Sequence, residues 1–192
     1  QEALSSLDVI INMNTMNKDR VDDLKGNIFF HRKRYRDSVA EYKKAIEINP
    51  DFAPYYYWAG KTINEIKKYK QAIKYFDSAI EKDPSMIDAY IDKSYALYNI
   101  GKYNECAHEC DIVLQADPNC LLAYQNKSWA LFRAGNLEEA EKFCNMGLKI
   151  DGNHMNLLNL KLDIFKNKGM LKEALAVADR IIEIEPDDGN IL

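Results

Sequence analysis

The amino-acid sequence predicts an all-α chain, a solenoid of antiparallel helix pairs, and three observations carry that prediction. The 192-residue chain repeats itself every 34 residues, so that "AYIDKSYALYNIGKY" from Ala89 to Tyr103 returns as "AYQNKSWALFRAGNL" from Ala123 to Leu137. A fixed period in this range marks stacked supersecondary units. Apolar residues recur at steps of three and four in two stretches of each unit, as Tyr75, Phe76, Ala79 and Ile80 do, which lines them along one side of a helix. Chain breakers fall at matching points: Pro50, Pro84 and Pro118 share one column, joined by Pro186 after Gly152 takes the place once.

The period divides the chain into five units, running from Asp19 to Phe52, Ala53 to Met86, Ile87 to Cys120, Leu121 to His154 and Met155 to Asp188. Within a unit, "IGKY" (Ile100 to Tyr103) and "AGNL" (Ala134 to Leu137) split the two helices; "NPDF", "DPSM" and "DPNC" separate one unit from the next. No segment carries a strand pattern. Ahead of the first unit, "EALSSLDVIINM" from Glu2 to Met13 matches "EALAVADRIIEI" from Glu173 to Ile184, so residues 1–18 are expected to hold the second helix of a preceding repeat and a linker. Residues 189–192, "GNIL", take the place where a further first helix starts. Both ends read as cuts within a repeat, and a fragment of a longer array is expected.

These columns resemble the tetratricopeptide repeat family, whose signature runs bulky residue, Leu-Gly, Tyr, Ala, Phe and closing Pro. The second unit fits best, with Tyr56, Ala59, Gly60, Tyr69, Ala72, Phe76, Ala79 and Pro84 in place. Small residues stand where helices must cross closely, and Tyr56 and Phe76 fill the space beside them. The fifth unit departs: Leu162 replaces the small residue of the Gly26, Gly60, Ser94 and Ser128 column, and Ile181 that of Ala45 and Ala79, so its hairpin is expected to pack differently or more loosely. The resemblance implies a right-handed superhelix whose first helices line a concave, peptide-binding groove.

Composition narrows the function. With 30 acidic against 26 basic residues and a net charge of −4, the chain lacks the basic balance of a nucleic-acid binder. No apolar run reaches the roughly 18 residues of a membrane span. Four cysteines without framework spacing read as reduced thiols and favour a cytoplasmic compartment. "ECAHEC" brings Cys106, His108 and Cys110 together, but on a helix His108 lies about 200° around from either cysteine, and Cys106 and Cys110 occupy the core columns of Ala72 and Phe76. No metal site, cofactor or catalytic constellation is expected, and the chain is not read as an enzyme. The sequon Asn126-Lys127-Ser128 lies mid-helix with Ser128 in the small column, and is discounted.

Projecting the first helices onto the inward face implied by the resemblance gathers Tyr57, Trp58, Tyr95, Tyr98, Trp129 and Phe132 into an aromatic strip, with Asn64, Asp88, Asp92, Asn99 and Asn126 beside it. Individual rings of such a strip can instead pack between neighbouring hairpins. Exposed aromatic surface in a concavity is what peptide anchors use. The expected function is a protein-interaction scaffold holding a peptide segment of a partner, neutral or basic with apolar side chains. A structural module that assembles or self-associates through its ends or convex face is the alternative. The chaperone-adaptor branch of the family clamps the C-terminal carboxylate of heat-shock proteins with lysine, asparagine and arginine. Asn27 fits that pattern, but Asp23, Trp58, Asp88 and Asp92 fill the other positions, and carboxylates repel a carboxylate.

Overall fold

The computed structural model describes residues 18–185, and the segments read above as a preceding half repeat and as the start of a further helix lie outside them. Ten helices follow one another: α1 (Lys18–His31), α2 (Tyr35–Ile48), α3 (Ala53–Glu65), α4 (Tyr69–Lys82), α5 (Ile87–Asn99), α6 (Tyr103–Ala116), α7 (Leu121–Arg133), α8 (Leu137–Ile150), α9 (Met155–Asn167) and α10 (Leu171–Ile184). No strand occurs among the described residues, so the chain is all-α. Two compact units divide it between Ile100 and Gly101. The first holds α1 to α5, and the second α6 to α10.

The turn inside each hairpin explains the period at the level of the backbone. Lys33, Lys67, Gly101, Gly135 and Gly169, spaced by one repeat, all take positive φ, between 58° and 86°. At the end of α1 the amide of Lys33 donates to Phe30 O (2.8 Å) and that of Arg34 to Phe29 O (2.9 Å), and Gly135 and Asn136 repeat the pair on Phe132 O and Leu131 O. This is the Schellman closure, which satisfies the last carbonyls of a helix with a left-handed residue just beyond it. Between repeats, Asp83, Asp117 and Asp151 each accept the amide two residues on, which tightens the turn. Tyr56 and Tyr124 donate their hydroxyls to Pro50 O and Pro118 O, tying a first helix to the loop that precedes it.

Packing between the helices of a pair follows a large-against-small rule. A Cβ added at Gly26 would lie 2.7 Å from the Tyr42 ring, and one at Gly60 would lie 2.9 Å from the Phe76 ring. Both rings are fully buried. Sixteen residues beyond the small column, the sequence runs Tyr42, Phe76, Cys110, Cys144 and Ala178, shrinking as the first-helix residue grows from Gly26 and Gly60 through Ser94 and Ser128 to Leu162. In the fifth hairpin the bulk thus stands on the first helix, and Ala178 in the facing column is only half-buried. Leu162 and Ile181 pack against Leu158, Phe165, Ala174 and Val177.

In the first unit a core cluster of Ile63, Ala72, Phe76, Ala79, Ala89 and Ala96 joins α3, α4 and α5. Buried Asp19 at the start of α1 accepts from Tyr55 (3.0 Å) and Asn49 (3.3 Å), so one carboxylate ties α1 to α3 and to the loop between α2 and α3. Burial alone would raise its pKa, but these hydrogen bonds hold it below the ordinary value. In the second unit Lys127 is 7 % exposed, ion-paired with Asp111 and set 3.6 Å from the centre of the Phe143 ring.

Candidate functional site

Because α1, α3 and α5 are the first helices of successive repeats in the first unit, their side chains meet along one face. The Phe30 and Trp58 rings approach edge to face at 5.8 Å, and Trp58 meets Tyr57 in the same way at 5.4 Å. Lys61, one turn further along α3, is caged. Its ammonium donates to the Tyr57 hydroxyl (2.9 Å), faces Asp92 Oδ2 at 3.4 Å, and lies 5.3 and 5.5 Å from the centres of the Tyr57 and Trp58 rings. Aromatic faces attract a cation through their quadrupole, and the carboxylate completes the shell. Burial would lower the lysine's pKa; the Tyr57 and Asp92 contacts outweigh it and raise the value instead.

From Asp92 the face continues along α5. Asp88, Asp92, Tyr95 and Asn99 stand at intervals of four, three and four residues, one stripe of the helix. Tyr95 is 45 % exposed, the most accessible ring of the predicted strip, and its edge meets Tyr69 at 6.2 Å. Asp88 and Asn99 are exposed, and Asn99 also donates to Tyr95 O. Tyr98 is half-buried. Asn64 Oδ1, on α3, is buried without a hydrogen-bond partner among the described residues.

Two of the predicted site residues are not on an open face. Tyr57 is 8 % exposed: its ring lies 6.2 Å from that of Phe76 and belongs to the core of the second hairpin, leaving its hydroxyl to Lys61. Burial first, then the negative charge of Asp92, pushes that hydroxyl up to about 12. Asn126 is 9 % exposed because α7 is packed among neighbouring helices, with α6 on one side and α8 and α9 on the other. Its neighbours Lys127 and Ser128 are buried with it, which seals the sequon.

The second unit carries the last two rings of the strip. Trp129 and Phe132 meet edge to face at 5.8 Å, and both rest on a cluster formed by Ala140, Cys144, Leu157, Leu160 and Ile164. Each keeps part of its surface open. Cys106 and Cys110 are buried while His108 is exposed, as the helical angles require, and no group of three metal-ligating side chains stands together among the described residues. No helix among the described residues is long and apolar enough to cross a membrane.

Lys61 is the residue of this face to which sequence reasoning gives no role. It shares a column with Tyr95 and Trp129, and that shared column was the available signal.

Comparison with known proteins rests on this repeat. A family profile described as TPR repeat matches residues 26–63, and two described as tetratricopeptide repeat match 66–126 and 121–154. The chain belongs to the tetratricopeptide repeat family. No curated protein matches it significantly. Among solved structures, the MamA RS-1 ArsTM double mutant superposes with a TM-score of 0.85 at 17 % identity, covering 89 % of this chain and 96 % of that one. YrrB, described as a TPR protein with an unusual peptide-binding site, gives 0.78 at 20 % identity, over 95 % and 93 %. A thermophilic TPR protein of Thermus thermophilus, TTC0263, gives 0.67 at 15 %, over 88 % and 93 %. Identities this low establish the shared fold. A tetratricopeptide array is in general a protein-interaction scaffold.

Proposed function

We propose that this tetratricopeptide array binds a partner protein through the face that α1, α3 and α5 present, and that the segment held there is basic with apolar flanks. The cage around Lys61 carries the reading: two rings and a carboxylate of this face already hold an ammonium group. Further along the stripe, Tyr95 and Asp88 offer the same pair of chemistries, a ring face and a carboxylate, with Asp88 in no ion pair among the described residues. A lysine or arginine of the partner would take them. The carboxylates disfavour an acidic ligand and a free C-terminus on this face.

Selection from a displayed random peptide library tests this. Enriched peptides should carry Lys or Arg beside aromatic or aliphatic residues. Tyr95→Ala should weaken their binding about 30-fold, the consequence of losing an anchor worth about 2 kcal/mol. Retained affinity in the folded Tyr95→Ala chain would defeat the proposal.

A second reading has its own observation. On α10 Leu171, Leu175 and Ile182 are 73 %, 63 % and 60 % exposed. The positions of α4 equivalent to Leu171, Leu175 and Ile182, three repeats earlier, are Tyr69, Ile73 and Ile80, which pack into the core joining α3, α4 and α5. The stripe on α10 supports association through this helix. Light scattering of Leu175→Glu against the parent chain separates the two readings, since only end-on assembly is sensitive to that charge.

A further inference from the structure

The hairpin tips of the first unit concentrate positive charge in an otherwise acidic chain. Residues 32–36 and 67–70 hold Arg32, Lys33, Arg34, Arg36, Lys67, Lys68 and Lys70 and no acidic residue, while the whole chain is at −4. The rest of the chain is therefore more acidic than the total. Arg34 is committed to Asp37 (2.7 Å) and to the face of Phe29. The other six make no ion pair among the described residues, and most of them are exposed. Later tips differ: Lys102 is paired with Glu105, and Lys168 with Glu138 and Glu141.

Shape repeats with charge. A recess of about 370 Å3 at the first tip is lined by Lys33, Arg34, Tyr35, Arg36, Asp37 and Ile66, and one of the same volume at the second by Lys67, Lys68, Tyr69, Lys70, Gln71 and Ile100; the one carboxylate among them, Asp37, is neutralised by Arg34. Each lining residue of the second lies one repeat beyond its counterpart in the first. Ile66 and Lys67 are consecutive, so the two recesses adjoin. Lys33 and Lys67 also occupy the left-handed turn position where the three later hairpins have glycine. An L-residue there is strained where glycine is not. A strained position that carries the same charged side chain in both hairpins motivates a functional reading.

We infer that the two tips form a docking edge for an acidic segment of a partner protein, its Asp and Glu carboxylates seated in successive recesses against Lys and Arg. Carboxylates satisfy both the charge and the hydrogen-bond donors of these side chains. A short acidic stretch is favoured over nucleic acid or an anionic bilayer because its charge can end where the basic edge ends. Extended polyanions would continue over the chain's acidic surface, within a Debye length of about 8 to 10 Å. This edge adjoins the face holding Lys61 and Tyr95 at the Tyr69–Tyr95 ring contact, and takes a ligand of opposite charge.

The test is fluorescence anisotropy of a labelled oligoglutamate peptide with the whole chain at low ionic strength, beside single-stranded DNA of matched charge and phosphatidylserine vesicles. The peptide should bind saturably. Combined Lys67→Glu, Lys68→Glu and Lys70→Glu should weaken it about tenfold, as should Arg32→Glu, Lys33→Glu and Arg36→Glu, with helicity and melting unchanged. Lys172→Glu, on α10, should leave it unaltered. Absent or non-saturable peptide binding, or binding indifferent to both triple variants, would overturn the inference. Tighter binding of DNA or vesicles through the same tips would overturn it as well, in favour of that polyanion.

Discussion

The large-against-small crossing between first and second helices can be tested by transplanting one repeat's solution into another. In the second hairpin Gly60 faces Phe76; in the fourth, the same columns hold Ser128 and Cys144, both fully buried. Gly60→Ser alone places a Cβ 2.9 Å from the Phe76 ring. Overpacking of that kind costs about 1 to 3 kcal/mol, offset by roughly 0.5 kcal/mol because serine is the better helix former. Phe76→Cys alone empties a fully buried ring site and should cost about 3 kcal/mol. Combined, the two changes remove the clash, and the new hydroxyl can donate to the carbonyl four residues back, as Ser128 does to Tyr124 O at 2.6 Å. The double variant should then be no less stable than Phe76→Cys alone, a coupling of about 1 to 2 kcal/mol in the favourable direction. Urea unfolding followed by circular dichroism on all four proteins measures it. Additivity within about 0.5 kcal/mol would show that the two columns do not compensate.

Three further outcomes are expected. Lys67→Gly relieves a left-handed lysine (φ 58°) and should raise stability by about 0.5 to 1 kcal/mol in thermal melts, even as it removes one charge from the basic edge. Of the four thiols, only Cys120 should react quickly with a thiol reagent in the native chain: the other three are buried, and burial pushes the Cys144 thiol up to about 12. Buried Asp22 has its pKa raised above the ordinary 3.8, first by burial and then by the charge of Glu41. Its stabilising share is fully present below pH 3.8 and is lost as the pH rises through the folded-state value. Asp22→Asn should therefore melt higher than the parent at neutral pH, and the advantage should vanish below pH 3.8; an equal gain at all pH values would contradict this.

Much of the fold was legible because a period is a statement about a helix and its turn. Proline columns, the glycines at 101, 135 and 169, and the small residues at 26, 60, 94 and 128 each report a local backbone or contact requirement. The candidate face was legible in part. Trp58, Asp88, Asp92, Tyr95 and Asn99 lie on the first unit's exposed or half-exposed surface as projected, whereas Tyr57 and Asn126 are sealed. The basic tips were visible as "HRKRYR" and "KKYK" but carried no weight while charge was summed over the whole chain.

By itself the sequence determined the hairpins, their turns and the exchange of bulk between crossing columns, since spacing along a helix fixes angles about that helix's own axis. Only the tertiary structure decided which of those angles open onto solvent. Tyr57 is turned into the core by Phe76, Asn126 is enclosed by neighbouring helices, and Lys61 is drawn into a cage by Asp92 from the next first helix. Exposure depends on the helices alongside, and no periodicity within a single helix encodes where those neighbours stand.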